Sequence, residues 1–169
     1  FVGRRYDEDL IPRLVEYVRV PAKSPAFDGD WSAHGHLAQV IQSARAWAAA
    51  QKIAGMTLDI VSIEGRTPCL FFDVPATAGR GNDKTVLFYG HLDKQPEMSG
   101  WREGLGPWTP KIEDGKLYGR GAADDGYAIF AATTIIAALD AQGTARPRCV
   151  GLIETCEESG SPDLPAYLD

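Results

Sequence analysis

The chain has 169 residues, 44% of them hydrophobic and 24% charged, the make-up of one soluble globular unit large enough to bury a core. Its 17 basic residues stand against 23 acidic ones, a net charge of -6, so its field repels phosphate backbones and anionic lipid and excludes nucleic acid and membrane as expected partners. No apolar stretch approaches the roughly 20 residues that span a bilayer, and residues 1–5 carry no secretory hydrophobic segment.

In chain order, Leu10, Leu14, Tyr17 and Val18 recur at helical spacing, which predicts an amphipathic helix over residues 7–20 with Asp7 or Asp9 as N-cap and Pro12 in its first turn. Residues 21–35, rich in Pro, Gly, Ser and Asp, read as a loop, and Leu37, Val40, Ile41, Ala44, Trp47 and Ala48 restore the helical period up to Gly55. Residues 58–63 and 69–74 read as short strands, followed by a polar loop over 76–84. The unbroken apolar run 85–89 has the pattern of a strand covered on both faces, and is therefore placed in the interior of the sheet. Asp114-Gly115 between Ile112 and Leu117 signals a small hairpin. Ile129, Ala132, Ile136 and Leu139 mark a helix over 126–142, and 149–153 is a further strand, parallel to 85–89 with the helix crossing between them. The three cysteines, Cys69, Cys149 and Cys156, lie in or beside apolar runs and read as buried, reduced thiols of a cytoplasmic protein. The chain lacks an initiator Met and stops within 163–169, where a helix is starting, which predicts a fragment.

Three motifs fall where elements begin or end. Gly90-His91-Leu92-Asp93 follows the strand 85–89, so His91 sits at the sheet's carboxyl edge, where open α/β sheets build their sites, with Asp93 able to fix its tautomer. Gly119 to Gly126 is a small-residue loop that delivers Asp124 and Asp125 to a helix start. One carboxylate there is a cap, and two leave one for another duty such as bridging cations. Glu154, Glu157 and Glu158 crowd the end of the strand 149–153, a concentration of like charge that either solvent or cations must compensate. His34 and His36 lack a carboxylate or Cys partner at metal-site spacing and read as loop or helix-start residues. Trp101 and Trp108 read as packing anchors under a long loop.

Taken together, Gly90-His91-Leu92-Asp93, Gly119-Arg120-Gly121-Ala122-Ala123-Asp124-Asp125 and Glu157-Glu158-Ser159-Gly160-Ser161, in that order, resemble the family of zinc-dependent hydrolases that includes carnosinase, aminoacylase, acetylornithine deacetylase and succinyl-diaminopimelate desuccinylase. The resemblance implies that His91 binds one metal, Glu158 the other, and that Asp124 bridges both. It implies that Asp93 orients His91, and that Glu157 is the general base for a water held between the metals. It further implies two zinc ions, with Mn²⁺ or Co²⁺ as substitutes, and a cis peptide bond between Asp124 and Asp125. The implied fold is α/β, a mixed and largely parallel sheet with helices on both faces. Residues 1–169 then form the first part of a catalytic domain, with a lid and dimerisation domain and further ligands lying beyond Asp169.

The substrate expected is a small peptide or an N-acyl amino acid, and the complete protein is expected to be a homodimer. Lys94-Gln95-Pro96 and Leu117-Tyr118-Gly119-Arg120-Gly121 resemble the dipeptidase branch more than the deacylases. Gly126-Tyr127 departs from a Lys-Gly that many members carry. Two rivals remain: a non-catalytic relative acting as a binding domain, against which Glu157 counts, and a two-metal phosphoesterase, against which the lack of a basic cluster near the motifs counts.

Overall fold

The computed structural model describes residues 1–77 and 84–168; most of the loop expected over 76–84, and Asp169, lie outside them. The chain opens with α1 (Val2–Arg5), a π-helical turn (Tyr6–Leu10) and α2 (Ile11–Arg19). Helical structure thus begins before the expected residue 7, and Asp7 and Asp9 sit inside it instead of capping it. The π-turn ends against Pro12, at the start of α2. Proline has no N–H and its ring crowds the carbonyl four residues back, and here the Ile11 amide bonds to the Tyr6 carbonyl, a five-residue step. Asp9 accepts a hydrogen bond from the Trp47 indole at 2.9 Å, tying this run to the next long helix.

The segment expected to be a loop contains a 3₁₀ turn (Pro25–Phe27) and a single-turn helix α3 (Trp31–His34). Gly35, at φ +70°, separates α3 from α4 (His36–Ala50), because a left-handed residue stops one helix and lets the next set off in a new direction. β1 (Thr57–Val61) and β2 (Cys69–Val74) pair antiparallel. β3 (Thr85–His91) is followed by the hairpin β4 (Lys111–Glu113) and β5 (Lys116–Tyr118), turned through Asp114 and Gly115 at φ +52° and +73°. Then come α5 (Ala128–Ala141), β6 (Arg148–Glu154), a 3₁₀ turn (Glu157–Ser159) and α6 (Pro165–Leu168).

The main sheet has the order β1-β2-β6-β3 and is mixed, within an α/β fold. β3 and β6 are parallel neighbours with α5 between them in sequence, as the apolar runs predict. Among the described strands of this sheet only those two pair in parallel, since β2 runs antiparallel to both β1 and β6, so the sheet is mixed but not the largely parallel one expected. Both long helices belong to one core with the sheet face bearing Leu70, Phe72, Val74, Cys149 and Ile153, and Trp47 of α4 meets Phe130 of α5 edge to face at 4.8 Å. A second expectation fails: β3 is an edge strand among the described residues, not an interior one, and Leu87 on it is 63% exposed. An apolar run encodes a wish for cover on both faces, and here only the Phe88 and Gly90 side is covered, by α5 and the core.

Candidate active site

β3 ends at His91 and β6 at Glu154, and these two residues are paired in register, so both strands deliver their following residues to one carboxyl edge. Gly90 is required for this. A Cβ there would lie 2.4 Å from the Ala128 Cβ of α5 and 2.7 Å from an Asp125 carboxylate oxygen, so only glycine lets helix and strand approach closely enough. The loop before α5 brings in Asp124 and Asp125 across a cis peptide bond. Asp125 accepts a hydrogen bond from the His91 amide at 3.3 Å, while the Asp124 carboxylate points outward and is 73% exposed. After β6 the chain folds into a tight turn in which the Cys156 carbonyl accepts from the Ser159 and Ser161 amides, and Glu157 and Glu158 project from it.

Asp93 holds these pieces in fixed relation. Fully buried, its carboxylate accepts hydrogen bonds from the Glu157 amide at 3.1 Å and the Glu158 amide at 2.9 Å, and lies 3.4 Å from His91 Nδ1. His91 Nδ1–H also reaches the Asp93 carbonyl at 3.1 Å. With Nδ1 turned inward, Nε2 faces the carboxylates, 3.1 Å from Asp124 Oδ1 and 3.6 Å from Glu157 Oε2. His91, Glu157 and Glu158 each offer a ligand atom within 4.8 Å of the others. All five motif residues named from sequence, His91, Asp93, Asp124, Glu157 and Glu158, therefore lie at one edge of the sheet.

The electrostatics are those of negative charge short of compensation. Burial opposes charging His91, yet the hydrogen bond and charge of Asp93, with the charge of Glu157, outweigh it and push its pKa up to about 9. Burial and the charge of Asp124 hold Glu158 above the usual carboxyl range against a hydrogen bond from Gln95, and burial does the same for Asp125. The charge of His91 offsets part of this for both acids, and a divalent cation between Nε2 and the carboxylates would supply the missing charge. The donor set of one imidazole and several carboxylates fits Zn²⁺, Mn²⁺ or Co²⁺.

Several residues make contacts at the site that their motifs did not predict. Gln95 donates to Glu158, Ser24 and Ser159 share a hydrogen bond of 2.6 Å that ties the residue 21–27 segment to the acidic turn, and Glu154 is buried behind that turn. Lys94, fully buried, donates to the Tyr17 and Val20 carbonyls at 2.7 Å and lies 3.9 Å from the Tyr17 ring centre. Only long-range contacts reveal such roles. His34 and His36 lie apart from the site; His34 pairs with Asp28 at 2.8 Å. Trp108 packs near Lys94, its ring centre 5.3 Å from the ammonium, and Trp101 bonds the Glu97 carbonyl. Cys69, Cys149 and Cys156 are free and buried. No helix among the described residues is long and apolar enough to cross a membrane.

Residues 87–169 match the model of peptidase family M20/M25/M40. The Cys-Gly metallodipeptidase of Candida albicans is 32% identical over 171 aligned positions, covering 93% of this chain and 34% of that protein. The succinyl-diaminopimelate desuccinylase of Methylobacillus flagellatus is 42% identical over 86 residues, covering 49% of this chain and 22% of its own. The crystal structure of human carnosine dipeptidase 1 superposes with a TM-score of 0.74 at 25% identity, over 99% of this chain and 36% of that one. The chain thus spans about a third or less of the length of these relatives. Motif order, fold and these matches agree on peptidase family M20/M25/M40, a family of hydrolases whose model matches residues 87–169 of this chain.

Proposed function

We propose that this chain carries the catalytic base and part of the ligand set of a two-metal hydrolase that cleaves the amide bond of dipeptides. The observation that carries the reading is the meeting of His91 Nε2, Asp124, Glu157 and Glu158 at the shared carboxyl end of β3 and β6, with Nδ1 of the same imidazole fixed by Asp93. His91 would hold one ion, Glu158 the other, and Asp124 both. When bound, such ions supply Lewis acidity toward the scissile carbonyl and the attacking water.

The two adjacent glutamates differ in their surroundings. Glu158 is tied by Gln95, which suits a ligand that must keep one orientation, whereas the Glu157 carboxylate is 41% exposed and faces the imidazole at 3.6 Å. Glu157 is accordingly the group that takes a proton from water and passes it to the leaving amine. His91, Asp124 and Glu158 give each of two ions two protein ligands, short of the three that catalytic zinc sites usually have, so a complete centre draws on residues other than these. The substrate class rests on the dipeptidase relatives. The desuccinylase relative supports N-acyl amino acids as the second reading, and parallel assays on β-Ala-His, Cys-Gly and an N-succinyl amino acid decide between them.

In the complete enzyme, Glu157→Gln keeps shape but cannot accept a proton, so turnover falls by roughly 10²–10⁴ while zinc content stays. Glu158→Gln replaces an anionic ligand with a neutral one, so an ion is lost and activity returns in part at high zinc. Zinc stoichiometry and dipeptide hydrolysis measured on both variants give the answer. Metal loss in the first and retention in the second would exchange the roles, and full activity in both would place catalysis elsewhere.

A further inference from the structure

Glu154 is 2% exposed, and its carboxylate is surrounded by neutral donors. Oε1 accepts the Ser161 hydroxyl at 2.8 Å and the Tyr89 hydroxyl, and Oε2 accepts the Cys156 thiol at 3.3 Å. A buried carboxylate without a cation is expensive, and an apolar residue at a strand end serves stability better. What this carboxylate does that an apolar side chain cannot is hold both ends of the acidic turn at once. Cys156 begins the turn and Ser161 ends it, with Glu157 and Glu158 between them. Ser161 also has φ +53°, a left-handed backbone that a non-glycine residue keeps only when its surroundings insist on it. Tyr89 adds the third connection, from β3 two residues before His91.

We propose that Glu154 is a positioning residue that sets the directions of Glu157 and Glu158 relative to His91, an inference that rests on the functional reading above. Its backbone already pairs with His91 in register, and its carbonyl accepts the Leu92 amide at 3.0 Å. Its side chain extends that alignment to the turn, so the base and the ligand are referred to the same strand end as the histidine. Asp93 grips the turn through the Glu157 and Glu158 amides, and Glu154 grips it at its two ends.

The test uses the complete, zinc-loaded enzyme with β-Ala-His and Cys-Gly as substrates, and compares Ser161→Ala, Glu154→Leu and Glu154→Gln. Supporting partners of metal sites contribute about 10–100-fold. Ser161→Ala frees one end of the turn and leaves the carboxylate two donors, so kcat and zinc affinity each fall by about 10-fold with KM little changed. Glu154→Leu lowers both by about 100-fold, and Glu154→Gln, whose amide oxygen still accepts both hydroxyls, recovers most of that loss. Wild-type kcat and zinc affinity in folded Ser161→Ala and Glu154→Leu would overturn the inference, as would Glu154→Gln failing as badly as Glu154→Leu. If Glu154→Leu does not fold, Ser161→Ala alone decides. A wild-type enzyme that binds no zinc and cleaves neither dipeptide overturns the functional reading, and this inference with it; wild-type turnover with indifferent variants overturns this inference alone.

Discussion

Asp93 shows how much one side chain can organise. Its two oxygens serve the buried imidazole and two partly buried backbone amides, and the carboxylate itself is fully withdrawn from solvent. Asp93→Ala leaves both amides without their acceptor. Each buried unpaired donor costs roughly 1–3 kcal/mol, so the denaturant midpoint should drop by an amount equivalent to about 3 kcal/mol. Because the imidazole also loses its support, zinc affinity in the complete enzyme should weaken by about 10–100-fold, read by competition with a chelator. Lys94 is a different case, since burial alone pushes its ammonium down to about 7. Between pH 7 and roughly 10 the unfolded chain then binds a proton at this lysine that the folded chain does not, so its contribution to stability rises with pH across that window and is flat below it. Unfolding free energies of the wild type and Lys94→Met, measured at pH 6.5, 8 and 9.5, should show their difference shift toward the wild type as pH rises. Comparing the two proteins cancels the opposite slope of His91, whose raised pKa makes its stabilisation fade as pH climbs toward 9.

At the scale of elements, the contact between β3 and α5 decides where the acidic residues stand. Gly90→Ala forces a methyl to within 2.4 Å of the Ala128 Cβ. The strand or helix must shift, at a cost of about 1–3 kcal/mol, and the shift propagates to Asp125, which bonds the His91 amide. Adding Ala128→Gly should recover much of that loss, and a double-mutant cycle on thermal or urea unfolding measures the coupling. The parallel pairing of β3 with β6, the Asp114-Gly115 hairpin and the two long helices were legible because each rests on local periodicity or turn chemistry. The site motifs were legible for a related reason, since each follows an apolar strand or precedes a helix. What could not be read locally was which strand lies at an edge, because the run 85–89 has the same composition whether one side or both are covered. The same holds for Glu154, whose partners Tyr89 and Ser161 are set by strand register and the turn. The π-turn before Pro12 and the short helix α3 were missed because both depend on single residues, Pro12 and Gly35, more than on a pattern.

For the molecule as a whole, the acidic balance of the composition gathers at one end of the sheet, where five carboxylates surround one imidazole. On the sheet, the side with Leu87 and Tyr89 is far more open than the side under α4 and α5. The site is thus built at the margin of a one-sided core, backed by α2 through two reciprocal hydrogen bonds. Tyr17 donates to the Leu92 carbonyl at 3.0 Å, and Lys94 donates to the Tyr17 carbonyl at 2.7 Å. These partners lie 75 and 77 residues apart in the chain. Closing so long a loop is entropically unfavourable until the strand end that supplies Leu92 and Lys94 has formed, so the docking of α2 belongs to a late stage of folding. The latch is therefore a brake on opening more than an aid to assembly. Lys94→Met should speed unfolding while leaving the refolding rate nearly unchanged in a denaturant-jump experiment, which makes α2 the guardian of the site's lifetime.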